Sequence, residues 1–310
     1  MCGIVGLYLK NPALAPRLGA LFEPMLLEMT QRGPDSTGFA VYRDPAPAGQ
    51  LKLVLQHPDL AFDWAAFANA LAQAFDTRVE SQPLHTHCLL RLAADEEALR
   101  RWARERPGGT TLVSLGRHIE IYKETGLPSE VAAAFGLAGM QGTHAIGHTR
   151  MATESAVTTA GSHPFSTGSD LCLVHNGSLS NHNRLRRKLE KAGAVFRTEN
   201  DSEVAAQYLD VQLRQGKTLE QALQAALRDL DGFYTFTIGT SDGFAVLRDP
   251  VACKPAVMAE TDDWVAMSSE YRALAGLPGV KHARVWEPAP ATIYAWGSAS
   301  ASAAAARAAA

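Results

Sequence analysis

The sequence predicts an α+β fold, and three segments carry that expectation. CGIVGLYLK, at residues 2–10, is an apolar strand bounded by Asn11-Pro12. Residues 218–230 form an amphipathic helix in which Thr218 and Gln221 make a capping box and Leu219, Ala222, Leu223, Ala226, Leu227 and Leu230 fill one face. FYTFTIGT and GFAVLRD then alternate as strands around Ser241-Asp242-Gly243, a hairpin-type turn.

The other elements follow in chain order. Residues 17–30 place Leu18, Leu21, Phe22, Met25, Leu26 and Met29 on one helix face, with Pro24 marking a helix start or a kink. QRGPDSTG is a loop by its Gly, Pro, Asp and Ser content, and FAVYRD a short strand. From about residue 44 to 140 the character changes. DPAPAGQ reads as a linker, followed by a strand (LKLVLQ), a helix (DWAAFANALAQAF), a strand near LHTHCLLRLA, a charged helix (DEEALRRWARER) and strands within TTLVSLGRHIEIYKE. That order predicts a small two-layer α+β insert. Ser129 is the expected N-cap of a short helix after it. Residues 298–310 are a low-complexity tail without recognisable chemistry.

The bulk properties exclude several classes. A chain of 310 residues can bury about three quarters of its unfolded surface, so neither disulfide nor metal is required to hold a core. A net charge of −3 offers no basic stripe for a nucleic acid. No apolar run approaches the ~20 residues of a membrane span, and no secretory signal is recognisable. A soluble, cytoplasmic protein is the expectation. The four cysteines form no C-x-x-C pair and no cluster with zinc spacing, so no metal site is expected. Cys88 and Cys172 lie in apolar runs as core residues, and Cys253 has no evident partner.

Cys2 is different, because removal of Met1 would give it a free α-amine beside its thiol. An α-amine titrates near ~7.7–8, low enough to serve as a built-in base for the nucleophile. A thiol attacking a carboxamide also needs an oxyanion hole and a grip on the substrate's charged ends. In LCLVHNGS, Asn176 can donate its side-chain amide and Gly177 a backbone N–H; Asn-Gly is equally a turn dipeptide. Arg150 ends the strand-like THAIGHTR and can fork onto a carboxylate, or simply lie at the surface. Asp201 in TENDSEV suits a substrate ammonium, a helix N-cap or a first-turn acid. Arg32 can order its turn or add positive potential near the thiol, while Asp35 and Ser36 read as turn residues.

The joint order of these segments resembles a known family. MCGIVG, RGPDSTG, GHTRMAT, SHP, VHNGSLSN and ENDSEV, in that sequence, are similar to the glutaminase domain of class II glutamine amidotransferases, and Arg248-Asp249-Pro250 with Lys254-Pro255 extends the likeness. The resemblance implies an N-terminal-nucleophile hydrolase with a four-layer αββα sandwich over residues 2–297, interrupted by the insert at about 44–140. It implies Cys2 as nucleophile with its α-amine as base, Asn176 and Gly177 as the oxyanion hole, Arg150 on the glutamine α-carboxylate and Asp201 on its α-ammonium. Thr153 and His163 match positions lining or supporting the glutamine pocket, and Arg32 a supporting arginine. Met151 stands where relatives often carry an aromatic, and Glu154-Ser155 where they often carry a small or histidine-glycine pair, so the loop closing over glutamine is expected to gate differently.

No phosphate loop and no synthase segment are recognisable, so the acceptor site is expected on another subunit. The long insert and the GHTRMATES, SHPFSTG and HNGSLSNHN combination resemble the small amidotransferase subunits of glutamate-synthase-like complexes, including N-methylglutamate synthase. That resemblance implies a hetero-oligomer in which flavin (FMN) and iron–sulfur cofactors sit on a partner chain, none being held here, and in which ammonia or a glutamate-derived group is handed on. Two alternatives are a non-catalytic, glutamine-sensing scaffold subunit and a stand-alone amide hydrolase.

Overall fold

A computed structural model describes residues 2–105, 107–152 and 156–297. The chain begins with β1 (Gly3–Leu9), α1 (Leu18–Leu27) and β2 (Ser36–Tyr42). It continues through β3 (Gln50–Gln56), α2 (Trp64–Phe75), β4 (Val79–Leu84), β5 (His87–Ala93), α3 (Glu96–Arg104) and β6 (Thr111–Gly116). Next come β7 (Ile119–Thr125), α4 (Pro128–Phe135), β8 (His144–Arg150) and β9 (Cys172–Leu179). Three helices follow: α5 (His182–Lys191), α6 (Asp201–Arg214) and α7 (Leu219–Asp229). The last strands are β10 (Gly232–Thr240), β11 (Gly243–Arg248), β12 (Val257–Glu260), β13 (Trp264–Ser268), β14 (Arg284–Trp286) and β15 (Ile293–Gly297).

Two antiparallel sheets form the centre. One runs β14-β12-β13-β1-β8-β2-β7, the other β15-β11-β10-β9. Strand alternation explains how they stack. On β1, Val5 turns toward α1, where Gly147 of the neighbouring strand leaves room for Phe22 and Leu26. Its alternate residues face the second sheet: Gly6 approaches Phe244 and Thr237, and the Tyr8 ring lies 6.1 Å from that of Phe244. Because both faces of β1 are covered, Ile4, Val5 and Leu7 are all fully buried. Each such side chain contributes roughly 1.5–3 kcal/mol. Helices α1 and α4 cover the outer face of the first sheet, and α6 and α7 that of the second. The order helix, sheet, sheet, helix is the four-layer αββα sandwich that the resemblance implies.

Local expectations hold in most places. The Thr218–Gln221 capping box is formed, with N–H to side-chain bonds of 3.0 and 3.2 Å in the two directions. Thr240 pairs with Gly243 across the β10–β11 hairpin. Pro24 sits inside α1, and its carbonyl still accepts the Glu28 N–H at 3.1 Å. Three readings change. Ser129 is not the cap of α4: Leu127 precedes the helix and Pro128 opens it, where a missing N–H costs nothing. The single strand near residues 84–93 is the hairpin β4–β5, which turns at His85 with φ +51. The loop QRGPDSTG is shorter than read, since β2 already starts at Ser36.

The stretch at 44–140 divides into two parts. Strands β4-β5-β3-β6 make a separate sheet, packed with α2 and α3 around Leu53, Leu71, Leu90, Leu92 and Leu99. Strand β7 and helix α4 belong instead to the main sandwich. The joint between the two is buried: Val54, Leu89 and Val113 of the separate sheet pack into the main core, and an ionic cluster lies beside them. Lys52 of β3 lies 2.9 Å from Glu120 of β7, and Arg43 and the Tyr122 hydroxyl reach the other Glu120 oxygen, each at 3.1 Å. Burial pushes the Lys52 ammonium down, and Glu120 opposes that shift. Replacing Glu120 by Ala would strand a buried cation. E120A is expected to lose about 3–5 kcal/mol, read as a lower urea midpoint at unchanged slope, with E120Q losing less.

Candidate functional site

The site forms where the start of β1 meets the middle of β9 across the two sheets. The β1–β8 register pairs Gly3 with Thr149, so one step further brings Cys2 alongside Arg150. From the second sheet, Asn176 donates its side-chain Nδ2 to the Cys2 carbonyl at 3.2 Å. Arg32 donates Nε to the same oxygen at 3.1 Å and pairs through Nη1 with Glu270 at 3.0 Å. Its Nη2 is buried without a hydrogen-bond partner. Ser269 completes the clamp: its hydroxyl accepts the Ile4 N–H at 3.0 Å and its own N–H donates to the Ile4 carbonyl at 2.9 Å. Cys2 itself is half-buried.

Gly177 has φ +149, a conformation that side chains rarely adopt, and an added Cβ would lie 2.0 Å from the Phe233 carbonyl. It faces Tyr234 of β10, and Tyr234 spends its N–H and C=O on Asp249 at 3.0 Å each. By antiparallel alternation, the Gly177 N–H is therefore turned away from β10. Since β9 is the edge strand of its sheet, that N–H is aimed outward, next to Asn176.

Arg150 is buried at the end of β8. Its backbone carbonyl accepts the Asp35 N–H at 3.1 Å, while Asp35 Oδ2 accepts the Ala152 N–H at 2.8 Å. Asp35 thus fixes the chain on both sides of Arg150, more than a turn residue would. Arg150 Nη1 lies 3.5 Å from the Gly161 carbonyl, which also accepts Asn200 Nδ2 at 3.3 Å. Asn200 caps α6, and Asp201 is its first residue, so of the structural alternatives for Asp201 the first-turn acid holds and the N-cap does not. One Asp201 oxygen accepts the Leu179 N–H at 2.8 Å, and the other lies 3.8 Å from His175 Nδ1. Thr153 lies outside the described residues.

Behind these groups is a buried stack of histidines. The His163 ring lies 3.9 Å from that of His148, and neither of its nitrogens has a hydrogen-bond partner. His148 Nε2 donates to the His175 carbonyl at 3.0 Å, tying β8 to β9, and His175 Nδ1 meets the Ser202 hydroxyl at 2.9 Å. Burial pushes His148 down to about 3 and His163 well below its usual range. Burial also lowers His175, against the pull of Asp201. His163 therefore supports the site from behind as an uncharged ring. Lys123 of β7 is pushed down to about 7 by burial, against the pull of Glu203. It holds the other side of the same loop, donating to the carbonyls of Ala160, Ser162 and Pro164 at 3.3, 2.7 and 3.4 Å.

Thus Cys2, Asn176 and Arg32 are in direct contact, with Gly177 and Arg150 adjacent in register, while Asp201 and His163 flank them. Sequence reasoning missed Ser269, Glu270, His148, His175, Asn200 and Lys123. Asn200 left a signal, as an N-cap residue type directly before a helical pattern, and His148 and His175 lie within the GHTRMAT and VHNGSLSN segments without being singled out. The others join segments distant in the chain.

Comparison with known proteins shows the family. Residues 148–276 match the glutamine amidotransferase domain family. The glutamine amidotransferase-like protein GlxB of Rhizobium meliloti is 54% identical over 96% of this chain and 98% of its own length. An amidophosphoribosyltransferase of Methanocaldococcus jannaschii is 33% identical over 56% of this chain, which spans 38% of that enzyme. Among solved structures, the glutamine phosphoribosylpyrophosphate amidotransferase of B. subtilis aligns over 96% of this chain with a TM-score of 0.61 at 21% identity, a likeness of fold. The chain spans 47% of that structure.

The buried histidines give the site an acid sensitivity. Their folded-state values lie below the ~6.5 of an unfolded histidine, so the unfolded chain takes up protons first as pH falls. Their contribution is complete above about pH 6.5 and falls as pH drops below it, that of His148 being lost toward about pH 3, with a slope of up to about 1.4 kcal/mol per pH unit for each histidine. Urea unfolding between about pH 7 and 5 is expected to show that slope, and H148Q to reduce it by one proton's worth.

Proposed function

We infer the reaction from a fixed premise: this chain belongs to the class II glutamine amidotransferase family. Its Cys2 is the nucleophile of a glutaminase that supplies a partner synthase subunit. The observation that carries this reading is the Asn176 amide at 3.2 Å from the Cys2 carbonyl, with the Gly177 N–H aimed out of the sheet beside it. An Asn side-chain amide has a second N–H to give, and with the Gly177 N–H it supplies the pair of donors of different origin that an oxyanion needs.

The steps follow from the groups present. Arg150 receives the glutamine α-carboxylate and Asp201 its α-ammonium, which brings the side-chain carboxamide to Cys2. The sulfur attacks the carboxamide carbon, and the thiol proton passes to the α-amine that removal of Met1 exposes. Asn176 and Gly177 stabilise the tetrahedral oxyanion. Its collapse breaks the C–N bond, and the α-ammonium returns the proton to the departing ammonia. Water then attacks the γ-glutamyl thioester through a second oxyanion, releasing glutamate and the free thiol. Arg32, with Glu270 and Ser269 beside it, holds the backbone of Cys2 and the start of β1 in place throughout. His163 supports the loop that carries the Gly161 carbonyl.

The acceptor chemistry belongs to another chain, of the glutamate-synthase-like kind of which N-methylglutamate synthase is one example. The FMN and iron–sulfur cofactors that the resemblance implies are assigned to that partner. This chain delivers ammonia, or a glutamate-derived group, to it.

Glutamine hydrolysis by the complex tests the assignment. C2A is expected to abolish it, N176A to lower kcat by about 10²–10³, and R150A to act mainly by raising the glutamine KM. A C2A complex that keeps full glutamine-dependent activity would identify the subunit as a scaffold instead.

A further inference from the structure

A cavity of about 520 Å³ lies away from Cys2, between the separate sheet and the main sandwich. Its volume is within the about 300–1,000 Å³ of small-molecule sites. Its lining comes from α3, β6, α6 and residues 165–169. Thr159 and Ala160 also line it. They belong to the loop that Lys123 holds from this side and whose Gly161 carbonyl meets Arg150 on the other.

The wall chemistry is balanced. Five basic and five acidic side chains line the cavity, so it offers no net countercharge to a polyanion. Its best-placed cation is Arg100, which spends Nε on Glu96 at 2.9 Å and one Nη1 donor on the Thr167 carbonyl at 3.2 Å. Its Nη2 makes no hydrogen bond, lying 2.9 Å from the Glu96 oxygen that Nε already uses. Two of the five guanidinium donors are thus committed. The Thr167 hydroxyl beside it is buried with no hydrogen-bond partner. Unpaired buried polar atoms cost stability unless something completes them. Asp210 of α6 is close by: it lies 2.8 Å from Arg214, near enough to Arg100 to feel its charge, and a Cβ on Gly168 would come within 2.6 Å of its Oδ1.

We propose that this cavity binds a small zwitterion of the α-amino-acid class, its carboxylate on Arg100 and the Thr167 hydroxyl and its ammonium on Asp210. A cation and a carboxylate set side by side around residues 167–168 match the two charged groups that an α-amino acid carries on one carbon, and the balanced lining disfavours nucleotides and sugar phosphates. The site is independent of the Cys2 chemistry.

Calorimetric titration of the full chain carrying C2A, which prevents turnover, tests this. The probes are the twenty L-amino acids, glutarate as an acid without an ammonium, and ATP. At least one amino acid is expected to bind with Kd below about 1 mM and to weaken about tenfold or more in both R100Q and D210N. T167V, which removes only an unpaired hydroxyl, is expected to weaken it without lowering the thermal midpoint. Any glutarate binding should fall with R100Q but not with D210N. Three results would overturn the proposal: amino-acid binding untouched by both charge substitutions, which places it in the Cys2 pocket; Arg100-dependent binding of ATP alone; or no amino acid bound at ~10 mM.

Discussion

Everything at this site depends on two antiparallel sheets stacked face to face so that the start of β1 meets the middle of β9. The Cys2 carbonyl is the point where that constraint becomes visible. Asn176 reaches it from the second sheet and Arg32 from the turn before β2. If the stack slid by one residue along β1, the alternation that buries Ile4 and Gly6 between the sheets would invert. Cys2 would then leave Asn176. The apolar packing of the sandwich and the placement of the thiol are therefore one requirement. The His148–His175 bond makes the same connection one layer deeper.

The charged groups are arranged around that junction in graded fashion. Arg32 is balanced by Glu270, and Arg150 is fixed by Asp35, Gly161 and its position in β8. The histidines behind them are held uncharged by burial. A permanent guanidinium beside neutral rings means that the charge Arg150 offers stays in place across the pH range. This suits the capture of an anionic substrate end next to a thiol.

Much of the fold was legible in the sequence because its elements are locally encoded. The capping box at Thr218, the Ser241–Asp242 turn and the alternation in β1 each rest on a few consecutive residues. The boundaries of the separate sheet were less legible, since β7 carries the same apolar pattern in either sheet and only pairing with β2 assigns it. The motif order pointed to Cys2, Asn176, Gly177, Arg150 and Arg32, and the fold brings these to one place. It could not reveal Ser269 or Glu270, whose contacts span more than two hundred residues, nor Lys123 and the partners of His163 in the histidine stack, whose contacts join separate strands and loops and whose charge state is set by burial. Nor did it suggest a cavity between α3 and α6, which exists only once the two sheets are docked.

The central claim is that Cys2 attacks glutamine with its own α-amine as the base, and that amine exists only once Met1 is gone. The most direct test is the intact mass of a preparation shown to hydrolyse glutamine. A mass lower by one methionine residue, with Cys2 at the N-terminus, is the predicted result. A fully active preparation that retains Met1 would contradict the account, because the nitrogen of Cys2 would then be an amide and unable to accept the proton.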